Sequence, residues 1–176
     1  MIDSKDIQKL RQVSGAGIMN CKHALEAAKG DFDKAVQDLR KKGITIAAKK
    51  SSRSAKEGRI ESYVHLHNKI GVLVEVNCET DFVSRCEEFK KLTRDLAMQI
   101  VALDPLYLKR EDVPEKVIAE HKDRLEDFYK ETCLLEQPFI KDDKRSVKDC
   151  LTEVVAKVGE NIIVRRFVRF RLGEEC

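Results

Sequence analysis

The ten residues Cys78-Glu79-Thr80-Asp81-Phe82-Val83-Ser84-Arg85-Cys86-Glu87 are the most informative stretch of the chain for function. Ser84 and Glu87 form the S-x-x-E pattern of a capping box, which predicts a helix beginning just after Ser84. Thr80 to Val83 then lie in the connection from a strand to that helix. The apolar staple that often accompanies a capping box pairs N′ with N4, and here those positions hold Val83 and Glu88. The staple is unmet, which leaves Phe82 without a strictly local partner. A carboxylate followed by an aromatic ring at a loop tip fits an element that contacts another protein. A second arrangement stays open and is slightly favoured by local physics: Asp81 caps the helix and Phe82 folds back onto the core.

Other reactive side chains are scattered. His65 and His67 form a His-x-His pair predicted to lie on one face of a strand, and such a pair binds a metal only if a third ligand converges. Histidines on the polar face of a hairpin are the commoner case. Cys78 or Cys86 as a nucleophile needs a neighbouring base, and the sequence names none. The six cysteines are widely spaced with no CxxC pair, so reduced thiols in a cytosolic compartment are the simplest reading. No GxxxxGK[ST], GxGxxG or GxSxG pattern occurs. These observations predict no enzyme, no cofactor and no metal site.

Composition narrows the partners. The 176 residues carry 34 Lys and Arg against 31 Asp and Glu, a formal +3, with no Trp and 6% aromatics. Such a balance argues against long-range capture of bulk nucleic acid or an anionic membrane. No apolar run approaches the roughly 20 residues that span a bilayer, and the start has no secretory h-region. The near-neutral total conceals a split: residues 1–56 hold 13 basic and 6 acidic residues, and the remainder holds 21 and 25.

The elements that must position these groups follow from periodicity. Residues 1–43 read as three short helices, the first capped by Ser4, with Cys21, Ala24, Leu25 and Ala28 and then Phe32, Ala35, Val36 and Leu39 at helical spacing. Gly43 is predicted to close the third. Residues 44–58 read as a basic linker, partly helical at Ala47 and Ala48, and residues 59–176 as an α+β core. From residue 59 the period becomes two. Ile60, Ser62, Val64 and Leu66, then Val72, Val74, Val76 and Cys78, predict a hairpin with one buried face, turning at Asn68-Lys69. A helix follows with Phe89, Leu92, Leu96, Ile100 and Leu103 on one stripe. Pro114 opens another, lined by Val117, His121, Leu125 and Phe128. Residues 134–145 read as irregular, and Ser146 caps a last helix that ends at Gly159. The final strand sets Ile162, Val164, Val168, Phe170 and Leu172 on one face, interrupted by Arg166, which suggests an end or edge of the sheet. The fold class is α+β: a small three-stranded antiparallel sheet covered by helices.

Several of these segments occur together and in order in one family. Thr80-Asp81-Phe82-Val83 resembles the signature of elongation factor Ts, which supplies guanine-nucleotide exchange for elongation factor Tu in translation. The stretch from Leu10 to Leu25, the run Gly30-Asp31-Phe32-Asp33-Lys34-Ala35, the helix end Leu39-Arg40-Lys41-Lys42-Gly43 and the closing Gly159-Glu160-Asn161-Ile162-Ile163-Val164-Arg165-Arg166-Phe167 are similar to the same family. The resemblance implies a ubiquitin-associated-like N-terminal module. It implies that Asp81 and Phe82, flanked by Thr80 and Val83, enter the partner GTPase near its magnesium and nucleotide. It further implies that Arg11, Ile18, Met19 and Lys22 touch the partner's G domain. The family often has two Met where this chain has Ile18 and Met19, and an apolar contact survives that change. Burial of those two within their own module is the alternative.

The chain also resembles the short form of the family, abbreviated further around residues 113–125. Short members are expected to pair, so a homodimer is predicted, working in the bacterial cytoplasm without membrane or direct nucleic-acid contact. Cys176 is expected as a free thiol in preference to an inter-chain disulfide. A rival reading of a different class is a helical-module adaptor or RNA-associated protein using the basic segment.

Overall fold

The computed structural model describes residues 2–174, which separate into two units. One contains the chain up to Ser54 together with Thr152–Asn161, and the other contains Ala55–Leu151 with the chain from Ile162 onward.

In the first unit, α1 (Ser4–Ser14), α2 (Ile18–Ala27) and α3 (Phe32–Lys50) enclose Leu10, Cys21, Ala24, Leu25, Ala28 and Ala35. The helical spacing of these residues predicts this small core. Asp3, not Ser4, is the N-cap of α1: its carboxylate accepts from the Lys5 N–H at 3.1 Å. Ser4 is the first helical residue, and its hydroxyl bonds the Asp3 side chain. The third helix does not stop at Gly43 but runs seven residues further, to Lys50. A glycine inside a helix costs about 1 kcal/mol relative to Ala. Here Gly43 is buried beside Ala156, and the good helix formers Ala47, Ala48, Lys49 and Lys50 complete the helix. The segment after α3 is tied down within the unit. The Asn161 amide donates to the carbonyls of Ser51 and Arg53, and the Lys50 ammonium donates to the Gly159 carbonyl.

The second unit is built on a sheet of β1 (Glu57–Val64), β2 (Ile70–Cys78) and β5 (Ile162–Arg171), antiparallel, with β2 in the centre. Val72, Val74, Val76 and Cys78 point to the inner face, as their alternation predicts, and α5 (Glu87–Leu103) packs there through Phe89, Leu92, Leu96 and Ile100. The predicted faces of the two outer strands are corrected. Ile60 is paired with Glu75 and lies on the outer face, while Glu61 and Tyr63 lie on the inner one. Glu61 is 8% exposed and is held by Arg59 at 2.8 Å, Arg94 at 3.7 Å and the Thr93 hydroxyl at 3.2 Å. A buried carboxylate needs such partners, and with them the apolar side of β1 turns outward. In β5 the alternation breaks at a bulge. Val164 is opposite Val76 but Arg166 is opposite Glu75, so Arg165 is the extra residue. One inserted residue exchanges the faces for the rest of the strand. Ile162 and Val164 therefore face inward, whereas Val168 and Phe170 face outward with Arg166. Arg166 marks this face change within the pairing, and β5 is an edge strand along its length.

Three further differences arise from local competition. His65 follows β1, and His67 lies in a 3-10 turn with a left-handed φ of 69°, so the pair does not share a strand face. The predicted helix after Pro114 is two helices, α6 (Glu115–Glu120) and α7 (Leu125–Thr132), separated by a 3-10 turn. His121 stands at the break, its Nδ1 2.9 Å from the Val117 carbonyl and its ring 4.3 Å from that of Phe128. A side chain bonded to the backbone in this way competes with helix continuation. Residues 134–145 are not wholly irregular, because β3 (Pro138–Phe139) and β4 (Asp142–Ser146) form a hairpin. Ser146 does cap α8 (Val147–Val158). Its hydroxyl accepts from the Asp149 N–H, and the Asp149 carboxylate accepts from the Ser146 N–H.

Candidate functional site

The strand-to-helix connection contains an additional short helix, α4 (Asp81–Arg85). Thr80 is extended, and its hydroxyl accepts from the Val83 N–H at 3.4 Å, so Thr80 rather than Asp81 or Ser84 is the N-cap. Ser84 lies inside α4 and its hydroxyl donates to the Asp81 carbonyl at 2.7 Å. Cys86 returns to extended backbone, ends α4 and starts α5. The predicted helix start after Ser84 is thus displaced in both directions, by a cap four residues earlier and by a break two residues later.

This geometry decides where the signature side chains go. Val83 is 6% exposed and anchors the turn, while Phe82 is 81% exposed. The alternative in which Phe82 folds onto the core does not occur. Asp81 is exposed beside it and accepts from the Arg85 guanidinium at 2.6 Å. Below the turn the buried Cys78 thiol donates to the Thr80 carbonyl at 3.1 Å. The result is an acid and an aromatic ring presented on a capped helical turn that is fixed at its base.

The second predicted set lies in the first unit. Ile18 and Met19, in the first turn of α2, are 54% and 59% exposed, so they are not buried within their own module. Arg11 on α1 and Lys22 on α2 are also exposed, with Lys22 3.9 Å from Glu26. Val13 adds a further exposed apolar side chain nearby in the sequence.

The thiols and histidines form no comparable arrangement. Among the described residues, no group of three or more His, Cys, Asp or Glu side chains is placed to hold a metal ion. Cys133 is buried, and that burial pushes its thiol pKa up, away from a reactive thiolate. Arg110 donates to both Glu126 and Glu136. The resulting bonds hold the guanidinium pKa above its ordinary value and the Glu126 carboxyl below its own. This cluster ties α7 to the segment before the β3–β4 hairpin. Cys176 lies outside the described residues. No helix among the described residues is long and apolar enough to cross a membrane.

One surface was not legible as a site in the sequence. Ile60, Val64, Leu73, Val168 and Phe170 share the outer face of the sheet, and all are exposed. Their neighbour Glu75 accepts from Arg166 at 2.7 Å. The signal available was the apolar alternation of β1 and β5, which the assumption of a single buried face assigned to the core.

The fold and the tip define an α+β protein that presents chemically matched side chains on a fixed helical turn. Its relatives give that description a particular identity. A family model described as Elongation factor TS matches residues 8–124 and 121–174. Elongation factor Ts of Carboxydothermus hydrogenoformans is 52% identical, over 99% of this chain and 90% of its own. That of Thermodesulfovibrio yellowstonii is 50% identical over 98% and 97%, and that of Moorella thermoacetica 49% over 99% and 97%. The chain belongs to the elongation factor Ts family.

Proposed function

We propose that the chain is a guanine-nucleotide exchange factor for elongation factor Tu in translation elongation. It acts in the cytoplasm by protein–protein binding and makes or breaks no covalent bond. The observation that carries this reading is the placement of Phe82, 81% exposed on a turn whose neighbour Val83 is anchored. An aromatic ring left bare on a rigid support is the form of a binding hot spot. On this reading Phe82 wedges between side chains behind the partner's magnesium site. Asp81 competes for hydrogen bonds there and disfavours the bound metal geometry.

Magnitudes require more than the tip. Exchange by linkage means that factor and nucleotide weaken each other equally. Weakening nucleotide about 10⁴-fold takes roughly 5.5 kcal/mol of differential binding. A fully buried Phe contributes about 1.5–3 kcal/mol. The remainder comes from a wider interface, for which Arg11, Ile18, Met19 and Lys22 form the exposed N-terminal surface. GTP then replaces GDP because it is available.

The outer sheet face supports a homodimer. It is largely apolar, and its Glu75 carboxylate is already paired with Arg166 within the chain, so covering it with the same face of a second copy leaves neither charge without a partner.

The test is release of fluorescent GDP from elongation factor Tu by wild-type chain and by Asp81→Ala/Phe82→Ala. Strong loss in the variant supports the tip. Equal activity, or steeply salt-dependent RNA binding with no effect on GDP release, would instead favour the adaptor reading.

A further inference from the structure

The ion pair on α4 has no evident structural purpose. Asp81 and Arg85 are 60% and 75% exposed at the side chain, and an exposed pair at i,i+4 contributes little to stability. The turn already has its cap at Thr80 and its anchor at Val83. What the pair does fix is the direction of a carboxylate. At about 100° per residue, Arg85 projects between Asp81 and Phe82 on the helix circumference, with Val83 on the opposite side. The acid precedes the base, the favourable order for such a pair, and the Nη2 to Oδ2 distance is 2.6 Å.

We infer that Arg85 is a positioning residue for Asp81 in nucleotide release, holding the carboxylate beside the Phe82 ring before the partner arrives. This rests on the reading that the Asp81–Phe82 tip enters the partner. Two consequences follow from the chemistry. The carboxylate meets the partner already biased towards one orientation, which lowers the ordering cost at the moment of binding. The neighbouring guanidinium also offsets part of its charge, so its approach to an anionic nucleotide is less opposed. As contact excludes water and salt, the pair strengthens, and its effect therefore falls on the release step more than on first encounter.

The experiment is a double-mutant cycle on GDP release from elongation factor Tu, using the full chain. Arg85→Ala is expected to lower the maximal release rate about three- to tenfold, with the half-saturating concentration held within about twofold. Arg85→Lys, which keeps charge and reach, recovers most of the rate. In an Asp81→Ala background, Arg85→Ala has no further effect, because the group it orients is gone. Unravelling of α4 would instead misplace Phe82, and Arg85→Ala would cost as much in that background as in wild type. Equal losses in both backgrounds, or a wild-type rate for Arg85→Ala, overturn the inference. Asp81→Ala/Phe82→Ala serves as the control. If it is slow while Arg85→Ala is unaffected, only the positioning role fails; if it matches wild type, the tip reading fails and the inference falls with it.

Discussion

Phe82 and Phe170 are both held away from the core, at 81% and 65% exposure, but on unlike supports. Phe82 stands alone on a five-residue turn with a charged pair beside it. Phe170 lies in a sheet face with Leu73, Val168, Val64 and Ile60 as exposed neighbours. A single ring can enter a crevice in a partner, and its energy is limited to one side chain. A face cannot enter anything, but it can be covered by a matching face, and its energy grows with area. On the proposed reading, the tip serves a partner of another kind and the face a second copy of the chain.

The largest effect is expected from charging the face. Leu73→Glu with Phe170→Glu sets like charges against each other across a two-fold axis, at several kcal/mol, and weakens pairing by more than about 10³-fold. Light scattering across concentration reports it: wild type is a dimer, the variant a 20.2 kDa monomer with unchanged circular dichroism. A wild-type chain that stays at that mass would break the comparison, since the face would then be bare for another reason.

Gly58 tests the face without touching it. It has a φ of 143°, and a Cβ there would stand 2.2 Å from the Val76 carbonyl oxygen. Gly58→Ala must displace the start of β1, and is expected to cost about 2–4 kcal/mol in urea unfolding. Dimerisation weakens with it because β1 carries Ile60 and Val64. Unchanged stability would mean that β1 tolerates a shift in its pairing.

A smaller effect is expected in the first unit. Ile18→Ser with Met19→Ser removes apolar contact from the partner but leaves the tip intact. The half-saturating concentration for GDP release should rise about tenfold, equivalent to about 1.4 kcal/mol, with the maximal rate preserved. A fall in maximal rate instead would move part of the release step from the tip to the N-terminal module.

Sequence patterns captured the elements more fully than the faces. The inner side of β2 was legible because Val72, Val74, Val76 and Cys78 alternate without interruption. The outer side was not, because two physical events intervened. Glu61 could turn inward only because Arg59, Arg94 and Thr93 converge on it, and that convergence is long-range. The bulge at Arg165 exchanges the faces in space, whereas in the sequence Ile162 and Val164 stay in step with Val168 and Phe170 on either side of Arg166. At the tip, Thr80 and Ser84 were competing caps, and local pattern favoured Ser84 through Glu87. The extended backbone at Cys86 makes room for the earlier cap. Local physics alone favours a buried Phe82, and only the family resemblance implies a contact residue there. Arg85 is not legible as a partner of Asp81 in the sequence, since the i,i+4 contact exists only because residues 81–85 form a helical turn.

The proposed role of Phe82 lies at the release step. The direct measurement is the rate of fluorescent GDP release from elongation factor Tu at saturating concentrations of wild-type chain and Phe82→Ala. Loss of about 1.5–3 kcal/mol of burial predicts a rate lower by about 10- to 150-fold, with the fold unchanged because the ring supports nothing in the free protein. Equal saturating rates would contradict the account.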